Sequence, residues 1–397
     1  MGTRGLLRHS IDSGDHGVRH TDVRAITRIR RYGSPVFTCT RKRRCSMMSS
    51  LRSLLLIVVV LPCLALHDGD HSSTGDPKAA SGVADPVEIA GIEYSVEPSW
   101  GHKGLELPIG NTHGGIVVDP AGRVYYNTDT ERSIMVHEGD GTFVTALANR
   151  YPGIHDMILR VENGTPYIYA AHLHGKQAIK LRLDGTLVWA LGVPMESGKY
   201  DDDPNAYNPT AIAVGPDGRV YVADGYGRQW IHIFGPDLAY QSSFGGRGSE
   251  PGQFQTCHGL VVDTRGETPM LIVCDRENRR LQRFTMDGKV VDVPVTGLRR
   301  PCAMSIFEGG PGKTDDRVAI AELEGRVTLL DGDMTVIGHL GNNPDRSQWA
   351  SNPVPRDQWI EGVFTAPHGV CFDAKGNLYV MDWNSAGRMT KMNATAR

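Results

Sequence analysis

From about residue 91 onward the chain is written in short apolar runs separated by polar turns, with no sustained helical period. The segment "TAIAVGPDGRVYVADGYGRQWIHIFGPDLAYQSSFG", starting at Thr210, shows the unit most clearly. An apolar strand meets an Asp/Gly turn. A second strand then ends in aspartate, a polar loop follows, and a third strand, a turn and a fourth strand complete the unit. "HGLVVDTRGETPMLIVCDRENRRLQRFTMDGKVVDV" from His258 repeats that order, as do "GGIVVDPAGRVYYNTDTERSIMVHEGDGTFV" from Gly114 and "HGVCFDAKGNLYVMDWNSAGRMTKM" from His368. Weaker copies start at His155 and Cys302.

Taking the residue before each first strand as anchor gives Gly114, His155, Thr210, His258, Cys302 and His368, separated by 41, 55, 48, 44 and 66 residues. Four-stranded units at this spacing are the blades of a propeller. The last copy has only three evident strands, and "IEYSVEP" at 92–98 is placed to supply its missing outer strand and close the ring. The expected fold is therefore all-β, a six-bladed β-propeller over residues 91–397 forming one domain.

The first strand of a blade lies innermost, so the six anchors form a ring around the axis at one end of the channel. Three are histidines, in "YPGIHDMILR", "FQTCHGLVVD" and "FTAPHGVCFD", and they occupy alternate blades. Three imidazoles converging on an axis make a His₃ site, which holds Zn²⁺ while leaving a coordination position for water or substrate. His155, His258 and His368 are the expected metal ligands. Because strands one and two run antiparallel, residues ending each second strand should border the same mouth. That row reads Thr128, His172, Asp224, Asp275 and Asp382, with the fifth blade ambiguous near Ala321. Beyond it, Tyr226 in "DGYGRQ" and Arg276 in "DRENRR" offer a phenol that neighbouring cations could turn into a base, and a guanidinium that could grip a carboxylate.

Composition alters this picture little. Charged residues are 22% with a formal net charge of −3, which gives nucleic acid or an anionic membrane surface no purchase, while 47 Gly and 23 Pro suit a turn-rich β fold. The N-terminal region differs in kind. Residues 1–46 are rich in arginine, and a thirteen-residue apolar run, Leu54 to Leu66, follows Arg52. That run is shorter than the roughly 20 residues a membrane span needs and matches a secretory signal core. Translation from Met47 or Met48 and cleavage after Ala65 are expected, making 1–66 a targeting region. Residues 67–90 then read as a polar linker, and the protein as exported. The alternative is an uncleaved anchor, the one route by which a membrane enters the picture. Cys257, Cys274, Cys302 and Cys371 fit neither a metal knuckle nor a dense disulfide scaffold and are expected to be buried free thiols.

The segments "YVADGYGRQWIHIF", "PGQFQTCHGLVVD" and "LIVCDRENRRLQRF" together resemble the NHL-type propeller of peptidyl-α-hydroxyglycine α-amidating lyases, most clearly over 208–285 and faintly from about 113 to 391. The resemblance implies zinc on His155, His258 and His368, Tyr226 as base, Arg276 as active-site arginine, and cleavage of a C-terminal α-hydroxyglycine into a peptide amide and glyoxylate. It also carries departures. A second arginine of the family falls on Thr128, with Arg132 nearby but offset, and its methionine before the last histidine is Ala366. Its structural-calcium aspartate is Gly369, although Asp156 follows His155. A cysteine of the family is Gly227. Three functions stay open at this point: an exported zinc lyase acting as a monomer on a peptide or small α-hydroxy substrate, another metal-dependent propeller enzyme such as a lactonase, and a non-catalytic binding module.

Overall fold

In the computed structural model residues 82–147, 149–309 and 315–396 are described. The targeting region and most of the linker expected from the sequence lie outside these residues. Five four-stranded antiparallel units follow one another along the chain, and a sixth, five-stranded sheet joins its two ends. Blade 1 comprises Thr112–Val118, Val124–Thr128, Ile134–His137 and Phe143–Leu147. Blade 2 starts with Ile154–Glu162, blade 3 with Ala211–Val214, blade 4 with Cys257–Asp263 and blade 5 with Pro301–Phe307. Blade 6 contains Pro367–Phe372, Leu378–Asp382 and Arg388–Ala396. Among the described residues the helices are four single 3₁₀ turns. The fold is a six-bladed β-propeller.

The turn chemistry explains the units. In blade 6, Asp373 accepts backbone N–H bonds from Lys375 and Asn377 at 2.8 and 3.0 Å, and Gly376 supplies the left-handed residue that closes the turn. Asp119 and Gly122 do the same in blade 1. The strands between turns read as nearly unbroken apolar runs because both faces of each blade are covered. Val220 and Val222 pack toward blade 2, while Tyr221 and Ala223, pointing the other way, pack toward blade 4. Six apolar clusters each fill one blade-to-blade contact, so the core is a ring of layers around the axis.

The segment Ile92–Glu97 closes that ring as expected, pairing antiparallel with Arg388–Ala396 from Ile92↔Ala396 to Glu97↔Lys391. Lys391 Nζ also donates to Glu97 Oε2 at 2.8 Å. Closure completes blade 6, and the inner edge of each blade, its first strand, is a short one turned to the channel. The domain boundary needs one correction. Val87–Ile89 adds a fifth strand outside Ile92–Glu97, and Gly82–Val83 pairs in parallel with Ile360–Glu361, so the end of the stretch expected to be linker belongs to the propeller.

Two histidines of the blade layers tie stability to pH. His137 and His232 are fully buried. Burial pushes their imidazoles down to about 4 and about 3 respectively. A depressed base contributes stability that is fully present above its unfolded value near 6.5 and is lost as pH falls toward the folded value. Unfolding free energy measured by urea titration should therefore decline between pH 6.5 and pH 4, at up to about 1.4 kcal/mol per pH unit for each such group. His232→Gln should flatten part of that decline; an unchanged slope would remove His232 from the account.

Candidate metal centre and active site

His155, His258 and His368 converge. Their ring centroids lie 4.6 Å (His155–His258), 4.6 Å (His258–His368) and 5.0 Å (His155–His368) apart. The local cause is a β-bulge. The pairing with the second strand skips one residue between Ile154 and Asp156, between Cys257 and Gly259, and between Pro367 and Gly369. The skipped residue is the histidine each time, and a bulge re-aims such a side chain. The glycine after two of them is a spatial necessity. A Cβ on Gly259 would meet the Cys302 carbonyl oxygen at 2.4 Å, and one on Gly369 would meet that of Gly114 at 2.0 Å. An aspartate at 369 would therefore collide with blade 1, and a calcium site on that residue has no room.

The ring nitrogens are oriented by the next blade. His155 Nδ1–H donates to the Thr210 carbonyl at 2.6 Å and His258 Nδ1–H to that of Cys302 at 2.8 Å, so each Nε2 keeps its lone pair. Such outer partners fix tautomer and direction in metal sites. All three imidazoles are held well below their ordinary value, first by burial and then chiefly by His113, Arg276 and His258 respectively. His155 Nε2 and His368 Nδ1 are buried without a hydrogen-bond partner. Neutral imidazoles with orphaned lone pairs fit a borderline divalent cation and serve no packing purpose.

Tyr226 and Arg276 meet at this cluster. The Tyr226 hydroxyl donates to His258 Nε2 at 3.0 Å and accepts from Arg276 Nη1 at 3.0 Å. Tyr226 as a whole residue is 36% exposed, while its hydroxyl is engaged by these two partners. Burial pushes the phenol above its ordinary value and Arg276 only partly opposes this. The expectation rests on two cations, the metal and the guanidinium, and Arg276 is the one this arrangement supplies. A cavity of about 350 Å³ opens over the cluster, lined by His113, His368, Tyr226, Arg276, Arg300 and Trp383 among others.

Two lining groups, His113 and Arg300, were not singled out from the sequence. His113 packs at 4.6 Å from His155 and 4.9 Å from His368. Arg300 shares Glu277 with Arg276, at 2.7 and 2.9 Å, so two guanidiniums and one carboxylate leave the cavity wall a net positive charge. Cys302 Sγ lies within 4.8 Å of ring nitrogens of His258 and His368. Its thiol is pushed up to about 11 by burial. The four described cysteines are free thiols.

The row ending the second strands is a correction. Thr128 is buried and bonds Thr130 at 2.7 Å, and His172 bonds the Pro152 carbonyl at 3.0 Å and Gln177 at 3.1 Å. Asp224, Asp275 and Asp382 are fully buried and accept the backbone N–H of Asn208, Gln255 and Thr365 at 2.6, 2.8 and 2.8 Å. Glu322 does this for Arg299 in blade 5, which settles the ambiguous member as Glu322 rather than Ala321. These residues brace the connectors that enter each first strand. They do not line the cavity.

Residues 207–234 match the NHL repeat. A gluconolactonase from Xanthomonas campestris superposes with a TM-score of 0.53 at 13% identity, covering 81% of this chain and 99% of that one. A streptogramin B lyase gives 0.49 at 14%, covering 73% and 96%, and a virginiamycin B lyase from Staphylococcus aureus gives 0.47 at 13%, covering 72% and 96%. At these identities the likeness concerns the fold. The chain is a six-bladed β-propeller that carries an NHL repeat in its third blade.

Proposed function

We propose that this chain is an exported, metal-dependent lyase of the peptidyl-α-hydroxyglycine amidating type, working as a monomer on a carbinolamide or a related small α-hydroxy acid. The observation that carries the reading is the junction of Arg276, Tyr226 and His258 beside three neutral, converging imidazoles. His155, His258 and His368 would hold Zn²⁺, which as a Lewis acid polarises the carbinol hydroxyl or the carboxylate. With His258 Nε2 serving as a ligand, the Tyr226 hydroxyl would lose the acceptor it now bonds at 3.0 Å. Tyr226, its proton released to solvent when the site is loaded and its phenolate held by Arg276, would then take the proton of the substrate hydroxyl and pass it to the departing amide nitrogen. Arg276 holds the carboxylate by charge-assisted hydrogen bonds. The C–N bond then breaks, the carbinol carbon becomes the aldehyde of glyoxylate, and the amide nitrogen gains a proton. Leu323, Ala350 and Trp383 give the remaining wall of the cavity an apolar face that limits water.

The decisive experiment is glyoxylate release from a peptide ending in α-hydroxyglycine, using zinc-loaded protein expressed from Met47. Arg276→Ala should lower kcat/KM by roughly 10–100-fold, the size of one charge-assisted hydrogen bond, and should spare uncharged analogues. An equal loss on both substrates would remove the carboxylate role. The same donor set and cavity also suit lactone hydrolysis. Metal-loaded protein that opens lactones and releases no glyoxylate would make that the function. A pure binding module has no use for buried imidazoles with unpaired lone pairs.

A further inference from the structure

We propose that His113, aimed by Asp129, is a fourth imidazole ligand of the ion, an inference that rests on the metal-site reading above. His113 Nδ1 lies 3.2 and 3.3 Å from the two Asp129 carboxylate oxygens, and Asp129 is itself fixed by Asn111 Nδ2 at 2.7 Å. This is the carboxylate–histidine relay that orients metal ligands and leaves Nε2 free to bind. A ligand atom of His113 lies within 4.8 Å of those of His155 and His368. The backbone is shaped for the purpose. The first strand of blade 1 skips from Thr112 to Ile116 in its pairing, and Asn127 Oδ1 accepts the N–H groups of Gly114 and Gly115 at 3.2 and 2.7 Å. That enlarged bulge carries His113 to the axis.

The four rings have a definite layout. Successive neighbours His113–His155–His258–His368–His113 are spaced 4.6, 4.6, 4.6 and 4.9 Å, and the diagonal His155–His368 is only 5.0 Å. The other diagonal joins His113 and His258, on opposite blades. Ligand atoms of His113, His155 and His368 lie within 4.8 Å of one another, and His258 joins His368 in a second such group, so the four imidazoles crowd the same point. A three-histidine site on a tetrahedral ion leaves one position. Four imidazoles on an ion that accepts six ligands would leave two positions, the number that the hydroxyl and carboxylate of an α-hydroxy acid need to bind as a chelate. The site thus favours ions that accept five or six ligands, such as Co²⁺, Ni²⁺ or zinc expanded beyond four.

The test loads the full protein with Co²⁺, whose visible absorption and X-ray absorption report coordination number and imidazole count. The wild type should show four imidazoles. His113→Ala and His113→Asn should show three, a visible spectrum shifted toward lower coordination, and at least a tenfold weaker affinity. Asp129→Asn should weaken binding by about tenfold with the count kept. If both His113 variants bind Co²⁺ with wild-type affinity and spectrum while His155→Ala loses it, the fourth ligand is refuted and the three-histidine site stands. If the wild type binds neither Co²⁺ nor Zn²⁺, both fall together.

Discussion

Replacing His155, His258 and His368 together by alanine should remove stoichiometric zinc binding and leave the β-rich circular dichroism spectrum in place. The two halves of that result have separate physical origins. The imidazoles sit at the mouth of the channel, whereas the apolar layers that stabilise the fold lie between blades. Removing the rings therefore takes little from the core. It also deletes buried nitrogens that have no partner, His155 Nε2 and His368 Nδ1, whose desolvation costs free energy when no ion is bound. The metal-free triple variant should melt at or slightly above the metal-free wild type. Added zinc should stabilise the wild type by about 2.7 kcal/mol at one hundred times its dissociation constant and leave the variant unmoved. Metal analysis after gel filtration and melting curves with and without zinc make the comparison. Full zinc retained by the triple variant would place the metal elsewhere.

The fold was legible because the physics repeats. Each blade is covered on both faces, so its strands are short apolar runs, and each turn needs a carboxylate acceptor and a left-handed residue, as at Asp119–Gly122 and Asp373–Gly376. The closing strand was readable as well, since "IEYSVEP" has a strand pattern and blade 6 lacks one. The neighbouring Val87–Ile89 was lost because three residues among acids and prolines carry too little pattern.

The site was legible in part. "HG" before an apolar run marks His258 and His368 because the histidine is the bulge residue and the glycine admits the next blade's carbonyl. The same signal stands in "NTHGGIVVD", but the extra residue in that bulge shifted the blade 1 anchor to Gly114 and hid His113. Strand order puts Asp224, Asp275 and Asp382 beside the start of each first strand. It could not show that each carboxylate turns back to a connector's backbone N–H. Arg300 sits in an inter-blade loop with no repeated motif, so only the folded chain brings it to Glu277.

Tyr226→Phe should cost roughly 10²–10⁴-fold in turnover, the usual worth of a positioned general base, while zinc content and melting temperature stay close to wild type. The ring contacts with His155 and His258, at 5.0 and 5.4 Å, survive the change, so the cluster keeps its shape. What disappears is the hydroxyl between Arg276 Nη1 and His258 Nε2. Without it Arg276 still has Glu277, and His258 Nε2 is released to a cation without competition. Metal affinity should therefore hold or rise as activity falls, a combination that general damage to the site would not produce. A Tyr226→Phe protein that releases product at the wild-type rate would remove the base assignment. One that loses metal along with activity would recast Tyr226 as a support of His258.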